Sequence, residues 1–234
     1  MPAVGGTMAA MQFPFSDREA AGRLLGEAVV QALRQQRLEK QPTVVLALTR
    51  GGVPVGVQVA RALGCSWEPL VVRKVAAPLQ SELAVGAVAD GDPPVTVMDR
   101  QTMTMCGVDE AWVQAHAQEQ IPELLRRRKL FFGDRPRLSL RGKTAVVVDD
   151  GIATGATVRA AVQVARARQA ARVVVATPVA PAGVVSVLRA MVDGVVCLRT
   201  PENFAAVGWH YVRFPQVQDD EVCAAFKTVA EALP

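Results

Sequence analysis

Val146-Val147-Val148-Asp149-Asp150-Gly151-Ile152-Ala153-Thr154-Gly155-Ala156-Thr157 is the stretch on which the reading of this chain turns. Three valines, preceded by Thr144-Ala145, form an apolar run of strand length, and Ala156 to Arg168 has the pattern of a helix. A buried strand therefore delivers two adjacent carboxylates to a sheet edge, and a loop of small residues leads straight into a helix start. The free N–H groups of such a loop and helix N-terminus suit a phosphate. Thr154 and Thr157 add hydroxyls, and Gly155 and Ala156 let the backbone come close. Carboxylates would repel a phosphate in the same place. They make sense beside one, gripping sugar hydroxyls or a nearby magnesium ion.

Outward from this segment, apolar runs of strand length alternate with helical stretches. Strands are expected at Thr43–Leu48, Pro69–Arg73, Ala84–Ala89, Thr144–Val148, Arg172–Thr177 and Val195–Leu198. Helices are expected from the capping segment Ser16-Asp17-Arg18-Glu19 to about Leu38, over Val53–Leu63 ended by Gly64, over Asp109–Phe132 with a kink or restart at Pro122, over Ala156–Arg168, over Pro181–Met191 and over Val217–Leu233. Asp92-Pro93-Pro94 reads as a turn. Alternation of this kind predicts an α/β fold, doubly wound, with a mainly parallel sheet covered by helices on both faces. Ligands of such sheets bind beyond the carboxyl ends of the strands. The loops Thr49–Gly52, Lys74–Glu82 and Asp149–Thr157 sit there.

Thr49-Arg50-Gly51-Gly52 permits a tight loop with N–H groups facing a ligand, and Arg50 offers a forked phosphate donor. Taken alone it reads equally as a strand–helix turn. Arg73-Lys74 places two cations at the end of the next strand, which is either a solvated terminus or a second anion contact. With the acidic loop, these groups suit a pentose carrying a phosphate at one end and a pyrophosphate at the other.

The acidic strand–loop–helix segment resembles the signature of the type I phosphoribosyltransferases, which bind 5-phosphoribosyl-1-pyrophosphate (PRPP) with Mg2+. The likeness extends to the group called "predicted phosphoribosyltransferases" through FSDREAAGRLL, LALTRGGVPVGVQVARALG, VVRKVAAPLQSELAVGAVADG and TPENFAAVGWHYVRFPQVQDDEV, from about Phe15 to Val222. The resemblance implies that Asp149 and Asp150 hold the ribose hydroxyls, that Ala153 to Thr157 cradle the 5-phosphate, and that Gly151 and Ile152 also belong to the PRPP-binding set. It implies that Thr49 to Gly52, Arg73 and Lys74 face pyrophosphate, with Arg50, Lys74, Asp149 and Asp150 as the catalytic set. It also implies a cis Thr49–Arg50 peptide, a flap at Val75–Glu82, Mg2+ bound mainly through PRPP, and a cytoplasmic homodimer in nucleotide metabolism. The flap lacks the two glycines of the family pattern. Hypoxanthine–guanine enzymes of this fold carry an aspartate where Ala153 stands, which argues against a 6-oxopurine acceptor.

A small hood around residues 199–222 would choose the acceptor, with Trp209, Tyr211 and Phe214 as stacking candidates and His210 as a packed histidine. Residues 15–234 form the expected single domain behind a flexible tail, residues 1–14. The net charge of +4 is too small to argue for nucleic acid, and Arg126-Arg127-Arg128-Lys129, with Glu119 and Glu123 nearby, reads as a solvated helix face. The cysteines Cys65, Cys106, Cys197 and Cys223 form no tight pair, so reduced thiols are expected, and no run is long and apolar enough to span a membrane. Two functions stay open: an enzyme transferring phosphoribosyl to a small acceptor such as a nucleobase, or a regulatory protein that binds PRPP without turnover.

Overall fold

In a computed structural model, residues 14–230 are described apart from 39, 79, 92 and 134. The expected tail therefore lies, but for Pro14, outside the described residues, as do Asp92 of the expected turn and Leu79 of the expected flap.

Five strands, β1 (Thr43–Leu48), β2 (Ser66–Leu70), β6 (Thr144–Val148), β7 (Arg172–Val179) and β8 (Gly194–Arg199), form a sheet in the order β2-β1-β6-β7-β8. Every pairing in it is parallel. Side chains alternate between the faces. Val45, Ala47, Val146, Val148, Val174 and Ala176 enter one core, which holds Leu25, Val29, Val55 and Val59 of helices α1 (Arg18–Gln35) and α2 (Gly52–Leu63). Val44, Leu46, Ala145, Val147, Val173 and Val175 enter the other, with Val158, Ala161, Val185 and Leu188 of α5 (Ala156–Ala167) and α6 (Ala182–Arg189). Both faces are covered, so the near-continuous apolar runs of β1, β6 and β7 follow from burial on two sides.

The chain between β2 and β6 departs from the expectation. One strand over Pro69–Arg73 is instead the end of β2 and the start of β3 (Val72–Ala77), with a break at Val71. The strand β3 pairs antiparallel with β4 (Gln80–Ala89), and β4 with β5 (Val95–Met98). This second, antiparallel sheet is followed by a short helix, α3 (Arg100–Cys106), capped by Asp99, and by α4 (Glu110–Phe132). The helix α4 runs through Pro122 without a restart. A 3-10 turn (Val207–His210) and α7 (Asp219–Ala230) close the chain.

In the basic run, Arg126 and Arg127 both pair with Glu123, and Arg128 approaches Asp90 at 3.8 Å. No described helix is long and apolar enough to cross a membrane.

Candidate active site

β1 and β6 are neighbours and run the same way, so the loops that leave their carboxyl ends meet. Gly51 shows how closely: a Cβ there would run into the Asp150 carboxyl, and one on Gly52 would lie 2.7 Å from the Val148 carbonyl oxygen. The glycines of the RGG segment are therefore required by the acidic loop beside them. The Thr49–Arg50 peptide is cis, at the bond the resemblance singles out. Thr49 donates its N–H to the Leu70 carbonyl at 3.1 Å, fastening the loop to the end of β2.

Asp149 follows β6 directly, and its N–H donates to Ala176 of β7 at 3.3 Å. Its Oδ1 accepts the N–H of Asp150 at 3.0 Å. Burial pushes the Asp149 carboxyl well above the usual carboxylate range, and the neighbouring Asp150 charge adds to this. The Asp150 N–H and, more weakly, Lys74 oppose it. Burial raises Asp150 as well, against the pull of Arg18. The two groups thus share a desolvated corner in which one proton between them relieves the repulsion.

Ile152 is buried and bonded through its N–H to Val179 at 2.9 Å, which turns the chain toward α5. Gly155 adopts φ 79°, the left-handed region that glycine tolerates, and α5 starts behind it without a side-chain cap. Its first N–H groups face outward at the positive end of a helix. Ala153 and Thr154 are exposed, and Thr157 is half-buried. Thr154, Gly155 and Ala156 line a cavity of about 240 Å³ with Leu83, Val184 and Arg159, the last paired to Asp99. A larger cavity, about 580 Å³, lies among Arg34, Lys40, Cys65 and Lys143, and none of the expected site residues lines it.

The remaining expected residues divide. Arg50 lies in the loop of Gly51 and Gly52, next to the acidic pair, and stands 3.6 Å from Asp219 at the start of α7. Arg73 and Lys74 do not end a parallel strand. They lie inside β3 and point opposite ways, as neighbours on a strand must. Arg73 donates from Nη2 to Gln120 of α4 at 3.0 Å, whereas the Lys74 charge acts on Asp149.

In the hood segment, Trp209 is 77% exposed. Tyr211 is buried, stacks on Phe214 with centroids 4.8 Å apart, and donates its hydroxyl to the Asp150 carbonyl. His210 stacks on Phe204, and burial lowers its pKa. Val207 packs against Gly151, where a Cβ would collide with it.

Sequence reasoning missed Arg18. It reads as the first residue of a capped helix, yet its side chain is 10% exposed and Nε lies 2.7 Å from Asp150 Oδ2. A signal existed: a cation in the first turn opposes the helix dipole, so an arginine there needs another partner.

A doubly wound parallel sheet, with an acidic pair and an uncapped helix start at one strand end, defines an α/β protein whose candidate site lies at the carboxyl edge of the sheet. Residues 16–211 match the phosphoribosyl transferase domain family, and the chain belongs to it. Over 222 residues it is 45% identical to proteins of two Mycobacterium tuberculosis strains named "Putative phosphoribosyl transferase", covering 93% of this chain and 48% of theirs. The chain thus spans about half the length of the curated relatives it matches. The crystal structure of TT1426 from Thermus thermophilus is similar, with a TM-score of 0.76 and 38% identity over 92% of this chain and 98% of that one.

Proposed function

We propose that this chain, as a single domain over residues 15–234 with its hood at 199–222, is a phosphoribosyltransferase. It binds PRPP with Mg2+ and passes the phosphoribosyl group to a small acceptor, releasing pyrophosphate. The observation that carries the reading is the contact between the Thr49–Gly52 loop and Asp150, beside an uncapped α5. One place thereby holds hydroxyl acceptors between two sets of anion donors, the order that PRPP requires.

Asp149 and Asp150 would hold the ribose hydroxyls, and Ala153 to Thr157 the 5-phosphate, with Gly151 and Ile152 joining the two. Arg50 and Lys74, with the N–H groups around Gly51 and Gly52, would draw charge onto the departing pyrophosphate. As the C1–O bond to pyrophosphate breaks, positive charge develops on the ribose ring and the acceptor attacks C1. Positioning and electrostatic stabilisation supply the catalysis, and no enzyme nucleophile is needed. Among the described residues no three His, Cys, Asp or Glu side chains converge as a metal cage. Mg2+, which prefers hard oxygens and keeps part of its water shell, fits as an ion carried mainly by the PRPP phosphates, neutralising their charge. A cytoplasmic setting and a role in nucleotide metabolism go with this chemistry.

One observation favours regulatory PRPP binding without turnover: Tyr211 and Phe214, two of the three hood candidates, are used on Asp150 and Arg18. Trp209 is left as the exposed ring.

The test is turnover with PRPP, Mg2+ and a panel of bases, alongside thermal shifts. PRPP with Mg2+ should stabilise the fold more than ribose 5-phosphate does, because only the native chain offers the assembled site. Equal shifts would remove the pyrophosphate subsite. Hypoxanthine, guanine and xanthine should be poor acceptors. The Ala153 methyl cannot take a ring proton, and such help is worth about 10²–10⁴ in rate.

A further inference from the structure

Arg18 is an arginine that the fold buries at the first turn of α1 and then uses three ways. Nε pairs with Asp150 Oδ2 at 2.7 Å, Nη1 donates to the Pro215 carbonyl at 2.6 Å, and the guanidinium lies 3.7 Å from the centre of the Phe214 ring. Two of these partners belong to the hood and the third to the acidic pair. Tyr211, stacked on Phe214, closes the circuit by donating its hydroxyl to the Asp150 main chain. Asp150 is thus gripped at its carboxylate by α1 and at its carbonyl by the hood.

Burying a guanidinium is unfavourable unless its charge and donors are matched. Here the match is a loop carboxylate and a loop carbonyl, whereas the core of α1 is made by Ala21, Leu25, Val29 and Leu33 without it. The arrangement does two things for a sugar subsite. It cancels one of two adjacent negative charges, so the corner can remain dry. It also fixes one Asp150 rotamer before any ligand arrives, so the ordering is not left to the binding step.

We propose that Arg18 is a positioning residue for the pentose subsite, setting the Asp150 carboxylate and linking it to the hood. The proposal rests on the phosphoribosyl reading above. Hood seating then bears on sugar binding only through Asp150, the one member of the acidic pair that the guanidinium holds.

The experiment is titration calorimetry of PRPP with Mg2+ into wild type, Arg18→Gln, Arg18→Lys, Asp150→Asn and the Arg18→Gln/Asp150→Asn double variant. A charge-assisted hydrogen bond lost from the subsite should weaken PRPP about 10- to 100-fold in Arg18→Gln. Arg18→Lys, which keeps a cation near Asp150, should recover part of that loss. The double variant should bind no worse than Asp150→Asn alone, because Arg18 acts through that carboxylate. Wild-type affinity in Arg18→Gln, equal losses in the Gln and Lys variants, or losses that multiply in the double variant would each overturn the proposal. A purely structural role gives those last two results. If Arg18→Gln fails to fold, the same cycle is run with Arg18→Lys, where coupled losses support the proposal and multiplying losses overturn it. If wild type itself ignores PRPP with Mg2+, the functional reading falls and takes the proposal with it. If wild type binds and the cycle is additive, only the role of Arg18 falls.

Discussion

Acidic side chains are withdrawn from water in two places, fully in one and partly in the other, and they are handled in opposite ways. Glu68 of β2 and Asp90, just beyond β4, are each 1% exposed. Arg168 pairs with Glu68 and donates to the Leu138 carbonyl, and the Leu138 N–H donates to Glu68 Oε2 at 2.9 Å. Arg137 pairs with Asp90 and Arg128 stands 3.8 Å from it, so three arginines serve two carboxylates. Burial raises the Asp90 pKa, but Arg137 and then Arg128 pull against it. Asp149 and Asp150 are adjacent in sequence and share one close arginine, Arg18, with Lys74 acting at longer range. The first cluster has both carboxylate charges matched by arginines and ties β2 and the end of β4 to the 135–140 segment and the end of α5. The second has one close cation for two adjacent carboxyl groups, beside a helix N-terminus. That difference separates a structural ion network from a corner in want of hydroxyl donors.

Breaking the completed network should produce the largest effect. Arg168→Met leaves Glu68 buried with the Leu138 N–H as its remaining donor. Removing one partner of a buried pair typically costs about 3–5 kcal/mol. Urea unfolding should show a loss of that size, while the fraction still folded binds PRPP with wild-type affinity. A loss under about 1 kcal/mol, the range of exposed pairs, would mean that water reaches the cluster and that the two regions do not differ as argued.

The acidic pair should behave in reverse. Asp149→Asn removes a carboxyl that must either take up a proton or face the Asp150 charge, so the fold should be as stable as wild type or more stable. PRPP affinity should fall about 10- to 100-fold, the worth of a charged hydrogen bond to the sugar, and further in the Asp149→Asn/Asp150→Asn double variant. Calorimetry and thermal melts on the same samples check both halves. A double variant that binds PRPP like wild type would place the sugar elsewhere.

What could be read from the sequence tracks this contrast. The five parallel strands were nearly all visible because strands buried on two faces are apolar throughout, and Asp149-Asp150 stood out against that background. The antiparallel sheet was hidden. No glycine or proline marks the Val71 break between β2 and β3. At four residues β5 is too short to establish a period, and α3, at seven, was passed over although Asp99 and Gly107 mark its ends. Adjacent in sequence, Arg73 and Lys74 read as one feature, whereas strand alternation sends Arg73 to Gln120 and leaves Lys74 with the acidic pair. The charge network and the Arg18 link were out of reach because their partners are far apart in sequence: 100 residues for Arg168 and Glu68, 132 for Arg18 and Asp150.

The two regions should also respond differently to pH. The folded Asp149 carboxyl is raised by burial and by Asp150, so the folded chain holds a proton that the unfolded chain releases near pH 4, about the ordinary aspartate value. The contribution of this residue to stability therefore falls as pH rises from there through the folded value. Asn at 149 carries no such dependence, so its melting advantage over wild type should widen by a few degrees between about pH 5 and pH 8. Asp99 and Asp193 are lowered in spite of burial by Arg159 and Thr102 and by the Val173 N–H and Arg166 respectively; their stabilisation is lost as pH falls, equally in both proteins. An advantage that is flat across this range would show that the Asp149–Asp150 corner is hydrated.

The smallest expected effect concerns Asp219, the acidic group that faces Arg50 across the candidate pyrophosphate loop. Asp219 lies 3.6 Å from Arg50 Nη1, with side chains 28% and 22% exposed, and its Oδ1 is enclosed without a hydrogen-bond partner. A pyrophosphate arriving at Arg50 must therefore take the guanidinium from a carboxylate already beside it. Half-exposed pairs of this kind are worth about 0.2–1 kcal/mol. Asp219→Asn should accordingly tighten pyrophosphate binding by about 1.4- to 5-fold. Two other effects run alongside. An acidic residue in the first turn of α7 favours the helix dipole, so the Asn variant should lose a few tenths of a kcal/mol of stability. Removing any negative charge nearby also raises the general attraction for anions. Asp220→Asn controls for both, because it makes the same charge change in the same turn at an exposed side chain with no ion pair to Arg50. Calorimetry with inorganic pyrophosphate and Mg2+ should show tightening in Asp219→Asn and none in Asp220→Asn, with the gap persisting when salt is raised. Equal gains in both variants would reduce the effect to bulk charge. Weaker binding in Asp219→Asn would mean that Asp219 orients Arg50 for its ligand rather than competing with it.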